Sequence, residues 1–460
     1  MTAETAVPAN PSSMPTRPIP RRAGHWFWGC LMEMIQDRSG FLVDKHEEHG
    51  DVFISRALLR DLLFVRDPAV VYGINVTHWS DFYKPDYIKQ MWKPFLGNGL
   101  VPNDGESWKR QHKRILPGFH KKRVDAYAPT MVEFTERMLD RWQEGERRNM
   151  RLELNGLALE VVAATLFDID IGKEDSKTIR EAMGEVSEIL VKDADNMVPR
   201  PDWWPTASNR RKKRAIGKIE DIIRRVHQER LTNQQDRGDL FSHMVFVEDD
   251  QGRMSDKQLR DEAMTLIFAG HETTAHALVW TWYLLAKNPD KVAKMREELE
   301  SVVGDRRVEV DDLPSLPYLE MVVKESLRLY PSVWAYARQA QRDVVINGYE
   351  IKKGQTVTLG HIAMGRNPKY YDKPMEFRPE RWTREFERQL PRGAYTPFAG
   401  GPRVCIGKQF AMMEMRMILA TLVRRLEITI PDGFEPDFVT ELSMHPGDRG
   451  MPTDVKFCAR

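Results

Sequence analysis

Apolar positions recur at helical spacing over most of this chain. The clearest run lies between Ser255-Asp256-Lys257-Gln258, a capping-box start, and Asn288-Pro289, a stop. Within it Leu259, Ala263, Leu266, Gly270, Thr273, Ala277, Trp280 and Leu284 return every three or four residues and form one continuous stripe. About 32 residues at about 1.5 Å each give a helix of roughly 48 Å, long enough to cross the whole molecule. Helical patterning also covers about Tyr127 to Ile171, Lys177 to Val191, Arg210 to Leu231, Pro317 to Arg328 and Lys408 to Arg425.

Strand-like runs are short. Val52-Phe53-Ile54 and Leu62-Leu63-Phe64-Val65 predict a small sheet near the start, with Arg66-Asp67-Pro68 as a turn and helix start. Val344-Val345-Ile346 and Thr356-Val357-Thr358-Leu359 flank the turn Asn347-Gly348, and Leu426 to Phe457 reads as a terminal β-like section. From Val76 to Val101 aromatics mix with Gly and Pro without a clean period, which predicts a long loop of the kind that lines apolar pockets. A second break, Val198 to Pro205, carries Trp203 and Trp204 between two helical runs.

Composition narrows the function classes. Lys plus Arg number 69 against 68 Asp plus Glu, so the net charge of +1 points to no nucleic-acid partner, and any electrostatic docking rests on local patches. The 3 cysteines are far apart and suggest no disulfide framework, as in a reducing cytosol. Residues 1–24 read as a flexible tail and 25–460 as one domain. His25 to Met34 is too short to span a bilayer, so the expectation is a monomeric cytoplasmic protein without a signal peptide or membrane anchor.

Candidate chemistry concentrates in Phe398-Ala399-Gly400-Gly401-Pro402-Arg403-Val404-Cys405-Ile406-Gly407. A cysteine where a Gly-rich loop opens into a helix meets converging N–H groups and the positive end of the helix dipole, which favours the thiolate. Such a thiolate suits a soft metal, above all haem iron. Gly401 and Gly407 admit backbone angles closed to other residues and a close approach to a flat cofactor. Arg403 could reach a carboxylate such as a haem propionate, and Phe398 would shield the sulfur. A turn around a buried structural cysteine is the alternative.

In the long helical run, Gly270 and Thr273 interrupt the stripe. Gly in a helix interior costs about 1 kcal/mol relative to Ala. The Thr273 hydroxyl and the Glu272 carboxyl can bond water or disturb the local ladder. A notch beside these groups suits holding a diatomic ligand and relaying protons; a packing kink is the other reading. His271 and His276 are i,i+5, about 140° apart around the helix, which is not the i,i+4 spacing of a zinc helix.

Trp108 and His112 share a helix face and could hold an anion, or simply belong to a solvated basic helix. Around them Lys109, Arg110, Lys113, Arg114, Lys121, Lys122 and Arg123 face only Glu106. Glu325 and Arg328 are i,i+3, and Arg381 in the Pro-bounded Phe377 to Trp382 segment could close a network with them.

The pattern F-x-x-G-x-R-x-C-x-G resembles the haem-binding loop of the cytochrome P-450 monooxygenases. The resemblance implies Cys405 as axial ligand of haem b, with Arg403, Phe398, Gly401 and Gly407 around the cofactor. Ala269-Gly270-His271-Glu272-Thr273-Thr274 resembles the oxygen-activation segment of that family. This implies that Thr273 steadies dioxygen and Glu272 serves a proton relay, with Gly270 in the catalytic set and Ala269 at the cofactor. Trp108 and Arg338 match propionate-binding positions, as does His112, where many members have Arg. Phe82 and Tyr87 of the aromatic segment, with Val333 and Trp334, would face substrate, and Glu325, Arg328 and Arg381 would form a buried structural network. The helix–Pro/Trp loop–helix segment resembles the lid over the family's substrate pocket. In Ala363 to Pro368, Gly365 and Asn367 stand where members often have His and Asp, which puts a propionate or packing contact in question.

The implied fold is mainly α with a small β region, a single domain enclosing haem b. The implied function is insertion of one atom of O2 into a small lipophilic substrate by hydroxylation or epoxidation. No flavin- or nicotinamide-binding segment is left over, so the expected electron source is a separate ferredoxin or flavodoxin with its reductase. A haem-thiolate peroxygenase or isomerase is disfavoured because Glu272 and Thr273 are both present. A haem-based ligand sensor is disfavoured because no regulatory domain is visible.

Overall fold

The long amphipathic run forms one helix, Asp256–Ala286, capped by the Ser255 hydroxyl, which accepts from the Gln258 N–H. This computed structural model describes residues 16–167, 173–195, 203–234, 236–447 and 449–458. The helix runs through the core and packs against the helices Met150–Phe167, Pro317–Leu329 and Lys408–Arg425. Its stripe residues Leu259, Ala263, Leu266, Ala277, Trp280 and Leu284 are buried, as their spacing requires.

The expected helix from Tyr127 to Ile171 is two helices, Ala128–Leu139 and Met150–Phe167, and Ile171 lies outside the described residues. Gly145, at φ +80°, turns the chain between them. The intervening strand Arg147–Asn149 pairs with Pro452–Asp454. The helices Lys173–Asp195 and Ala207–Asn233 follow, each longer at both ends than the pattern suggested. Residues 198–202 of the expected break fall outside the described residues, while Trp203 and Trp204 are exposed.

The N-terminal strands grow into a six-stranded sheet in the order Arg21–Arg22, Val52–Ala57, Arg60–Val65, Thr356–Gly360, Ala335–Ala340, Phe82–Tyr83. Residues 21 and 22 are therefore structured, which shortens the expected tail. They pair in parallel with Ile54 and Ser55, and Arg21 and Arg22 bind Asp61 and Glu33. Val344–Ile346 instead pairs with Tyr349–Ile351 around Asn347 and Gly348, both at positive φ, in a separate hairpin.

The expected loop from Val76 to Val101 is largely ordered as regular structure. Asp86–Leu96 is a helix despite the internal Pro94. Ile88, Met91, Trp92 and Phe95 follow i, i+3, i+4, i+7 and pack on the core, a period masked by flanking Gly and Pro.

Candidate active site

The cysteine loop is held by its own backbone. Cys405 N–H donates to the Phe398 carbonyl at 2.9 Å, and the half-buried Phe398 ring packs on the main core. Gly401 sits at φ +63°, and a Cβ there would lie 1.9 Å from the Asn75 carbonyl oxygen, so no other residue fits. Gly407 differs from expectation. Its φ is −87°, and a Cβ would meet nothing nearer than 3.8 Å. Its N–H is directed at the Cys405 sulfur.

Cys405 is open to water yet surrounded by protein on most sides, so its environment acts as interior. Burial pushes the thiol up, and the Gly407 N–H and Lys408 pull the other way without winning. The helix start therefore does not by itself favour the thiolate, which a metal cation on the sulfur would.

A cluster of cations shares this interior. Arg403 Nη2 is 2.8 Å from Asp104 Oδ1, and its Nη1 donates to the Asn103 carbonyl at 3.1 Å. The guanidinium carbon lies 3.9 Å over the Trp108 ring. Trp108 and His112 stack with centroids 4.8 Å apart, and burial, then Arg403, lowers the His112 pKa. Lys84 donates to the Asn103 carbonyl at 2.5 Å and lies 3.5 Å from Asp104. Burial pushes its ammonium well below the usual lysine range. Arg338 donates only to the Ala337 carbonyl at 3.0 Å and covers Tyr336, with no carboxylate in ion-pair reach among the described residues. Burial lowers its pKa too.

Lys84, Arg338 and Arg403 thus share one carboxylate, Asp104, and His112 lies beside Arg403. Enclosed cations in excess of their counter-ions are costly, and a ligand bearing two carboxylates removes that cost. Together with the Cys405 thiol, this donor set fits an iron porphyrin with two propionates. Lys84 and Asp104 were missed in the sequence because the cluster gathers residues far apart in the chain; a lysine just before Pro85, beside so many aromatics, was the available hint.

On the long helix, Thr273 Oγ1 donates to the Ala269 carbonyl at 2.7 Å, and the Thr273 carbonyl accepts from Ser332 Oγ at 2.7 Å. Glu272 Oε1 accepts from Ser187 Oγ at 3.3 Å, and burial raises its pKa. A Cβ on Gly270 would lie 3.0 Å from Val162, so this glycine serves the close approach of a neighbouring helix. Burial brings His271 down to about 4 and keeps it neutral. Among the described residues no three His, Cys, Asp or Glu side chains converge as a metal site requires.

The expected substrate wall is redrawn. Phe82 is fully buried in the smaller core, where its strand pairs with Ala340, so it does not line a pocket. Tyr87 is 44% exposed and borders an outer groove, with Arg60 5.9 Å from its ring. Phe268 of the long helix instead meets Trp92 and Phe95 at 5.0 and 5.7 Å. Val333 and Trp334 are half-buried, and Trp334 Nε1 donates to the Glu441 carbonyl at 2.9 Å.

Glu325 accepts from Arg328 at 2.8 Å through both oxygens, and from Arg381 Nε, Trp382 Nε1 and the Arg378 N–H at 2.9 Å each. Arg328 Nη1 also donates to the Gly365 carbonyl at 2.6 Å, and a Cβ on Gly365 would lie 2.3 Å from the Arg328 carbonyl oxygen. The departure at Gly365 is thus a packing contact with this network. Asn367 is buried beside Asp51, its Nδ2 3.4 Å from Asp51 Oδ1, and serves packing as well.

The basic cluster is partly neutralised. Arg110 and Arg114 both bind Asp249, and Arg114 is 4% exposed. Lys109 and Lys121 bind Glu106 and Asp125, while Lys113, Lys122 and Lys408 remain exposed.

A mainly helical fold with a cysteine loop and enclosed cations gathered around Asp104 fits a haem-thiolate class of protein. The family model for cytochrome P450 matches residues 18–450, and the chain belongs to that family. The chain is 33% identical over 381 residues to cyclooctatin synthase of Streptomyces melanosporofaciens, covering 82% of this chain and 83% of that protein. It is 30% identical over 335 residues to cyclooctat-9-en-7-ol 5-monooxygenase of the same organism, covering 72% and 73%. The crystal structure of the cytochrome P450DA haem domain superposes with a TM-score of 0.86 at 26% identity, covering 97% of this chain and 99% of that one. The chain is accordingly a haem b monooxygenase. Among the described residues no helix is long and apolar enough to cross a membrane.

Proposed function

We propose that the Cys405 sulfur would hold the iron of haem b, and that Arg338, Arg403, Lys84, Trp108 and His112 would hold its two carboxylates. The observation that carries this reading is a water-accessible thiol on the cysteine loop that also carries Arg403, with more enclosed cations than Asp104 neutralises. When bound there, haem b supplies the iron at which dioxygen is activated. Thr273 would turn its hydroxyl from the Ala269 carbonyl into the site and hold a proton there. Glu272, which burial favours in its protonated form, releases a proton at its carboxyl and regains one from water.

The half-buried apolar side chains Phe268, Val333 and Leu442 exclude water and receive a lipophilic substrate for hydroxylation or epoxidation. A relative named for oxygenating cyclooctat-9-en-7-ol supports that class. Electrons come from a separate acidic carrier, a ferredoxin or flavodoxin with its reductase, and the exposed Lys113, Lys122 and Lys408 support its docking.

The test is Cys405→Ser. It abolishes the thiolate-type carbon monoxide spectrum of the reduced protein, and persistence of that spectrum refutes the ligand assignment. Compounds that displace water from the ferric site, read as a spin-state change in the Soret absorbance, identify the substrate class.

A further inference from the structure

Behind Glu272 lies a group of ionisable side chains that the proposed chemistry does not use. The hairpin formed by Phe438–Thr440 and Met444–Pro446 packs along the long helix. Its fixing points are the Trp280 indole N–H on the Met444 carbonyl at 3.0 Å and His276 Nδ1 beside Ser443 Oγ at 2.9 Å. His445 projects from this hairpin, with its ring 5.0 Å from that of His276. Glu272 and His276 are i,i+4 and share one face of the helix, so His445 lies about one turn from Glu272.

Both nitrogens of His445 face acceptors. Nδ1 is 3.0 Å from the Pro446 carbonyl oxygen, which can only accept, and Nε2 is 3.3 Å from Glu441 Oε2. A ring with a carbonyl on one side and a carboxylate on the other is satisfied as the imidazolium, donating twice. Glu441 is half-buried and borders a cleft of about 570 Å³ with Ile35, Arg38, Val191, Arg366 and Phe438, so this carboxylate meets water from outside while His445 is buried.

The other groups facing Glu272 are few. Ser187 donates to it, Arg151 acts from the helix Met150–Phe167, and Glu441 opposes them through its negative charge. His276 is driven well down by burial and contributes no charge. Of the charged groups near Glu272, His445 and Arg151 favour its ionised form against burial.

We propose that His445 is a positioning residue for Glu272: pinned by Glu441 and Pro446, it supplies the cation that lets this interior carboxyl ionise and so alternate between giving and regaining a proton. The proton that Glu272 regains comes from water. The inference rests on the relay role proposed for Glu272.

The test is an infrared titration of the holoprotein, following the carboxylic-acid stretch that disappears in Glu272→Gln. Removing a nearby positive charge favours the protonated acid, so His445→Gln, which still donates to Glu441, raises the midpoint of that band by about one pH unit or more. Ser443→Ala disturbs the same hairpin without touching a charge and leaves the midpoint in place. An unchanged midpoint in His445→Gln overturns the proposal, as does an equal shift in Ser443→Ala or a Glu272 band that never appears in either protein. Product formed per electron pair separates the two readings. If Glu272→Gln leaves it unchanged, the relay itself fails; if Glu272→Gln lowers it while the band stays fixed in His445→Gln, only the role of His445 fails.

Discussion

Arg403 and Asp104 form a buried ion pair 2.8 Å long, joining the cysteine loop to the residue that precedes the Trp108 helix. Lys84 and Lys89 reach the same carboxylate at 3.5 and 3.1 Å. Asp104→Asn leaves these cations without their anion and is expected to destabilise the haem-free protein by about 3–5 kcal/mol. The loss is smaller in the loaded protein, where propionates take over part of the charge. Denaturant unfolding of both forms measures it; an equal loss in the two would separate the cluster from the cofactor.

Thr273 spends its hydroxyl on the Ala269 carbonyl one turn earlier, a bond the helix does not need. Thr273→Ala is therefore expected to leave stability within about 1 kcal/mol while diverting reducing equivalents to peroxide. Peroxide yield per electron pair is the readout, and unchanged coupling counts against the proposed role.

Glu262, nearly two turns inside the long helix, accepts the Leu100 N–H at 2.9 Å and is pushed by burial to about 8. An acid raised in the fold binds its proton more tightly there than in the unfolded chain. Its stabilising contribution is complete below about 4.5 and is lost as pH climbs to about 8. Glu262→Gln should flatten this fall, raising the denaturant midpoint at pH 8 relative to the parent more than at pH 5. Parallel pH profiles for the two proteins would show that Glu262 is not the titrating group.

Exposed Lys113 and Lys122 differ from buried Arg114, although all three read alike in the sequence. Charge reversal at Lys113 and Lys122 should slow reduction by an acidic carrier more at low salt than at high salt. Arg114→Glu, which breaks the contact with Asp249, should lower stability instead. Equal slowing at both salt concentrations removes the docking idea.

Local relationships were legible in the sequence. Ser255 with Gln258, Asn288-Pro289, the Glu325–Arg328 pair and the spacing around Cys405 each involve residues a few positions apart, whose geometry the backbone period dictates. The helix Asp86–Leu96 was equally local, in Ile88, Met91, Trp92 and Phe95, but Pro94 and the surrounding glycines hid it. Only the tertiary structure brought Lys84, Asp104, Arg338 and Arg403 into one cluster, buried Phe82, turned Tyr87 outward and set His445 behind Glu272. It also reversed the expected direction at Cys405, because desolvation depends on everything packed around a sulfur atom and outweighs the helix start and the single N–H that the sequence placed beside it.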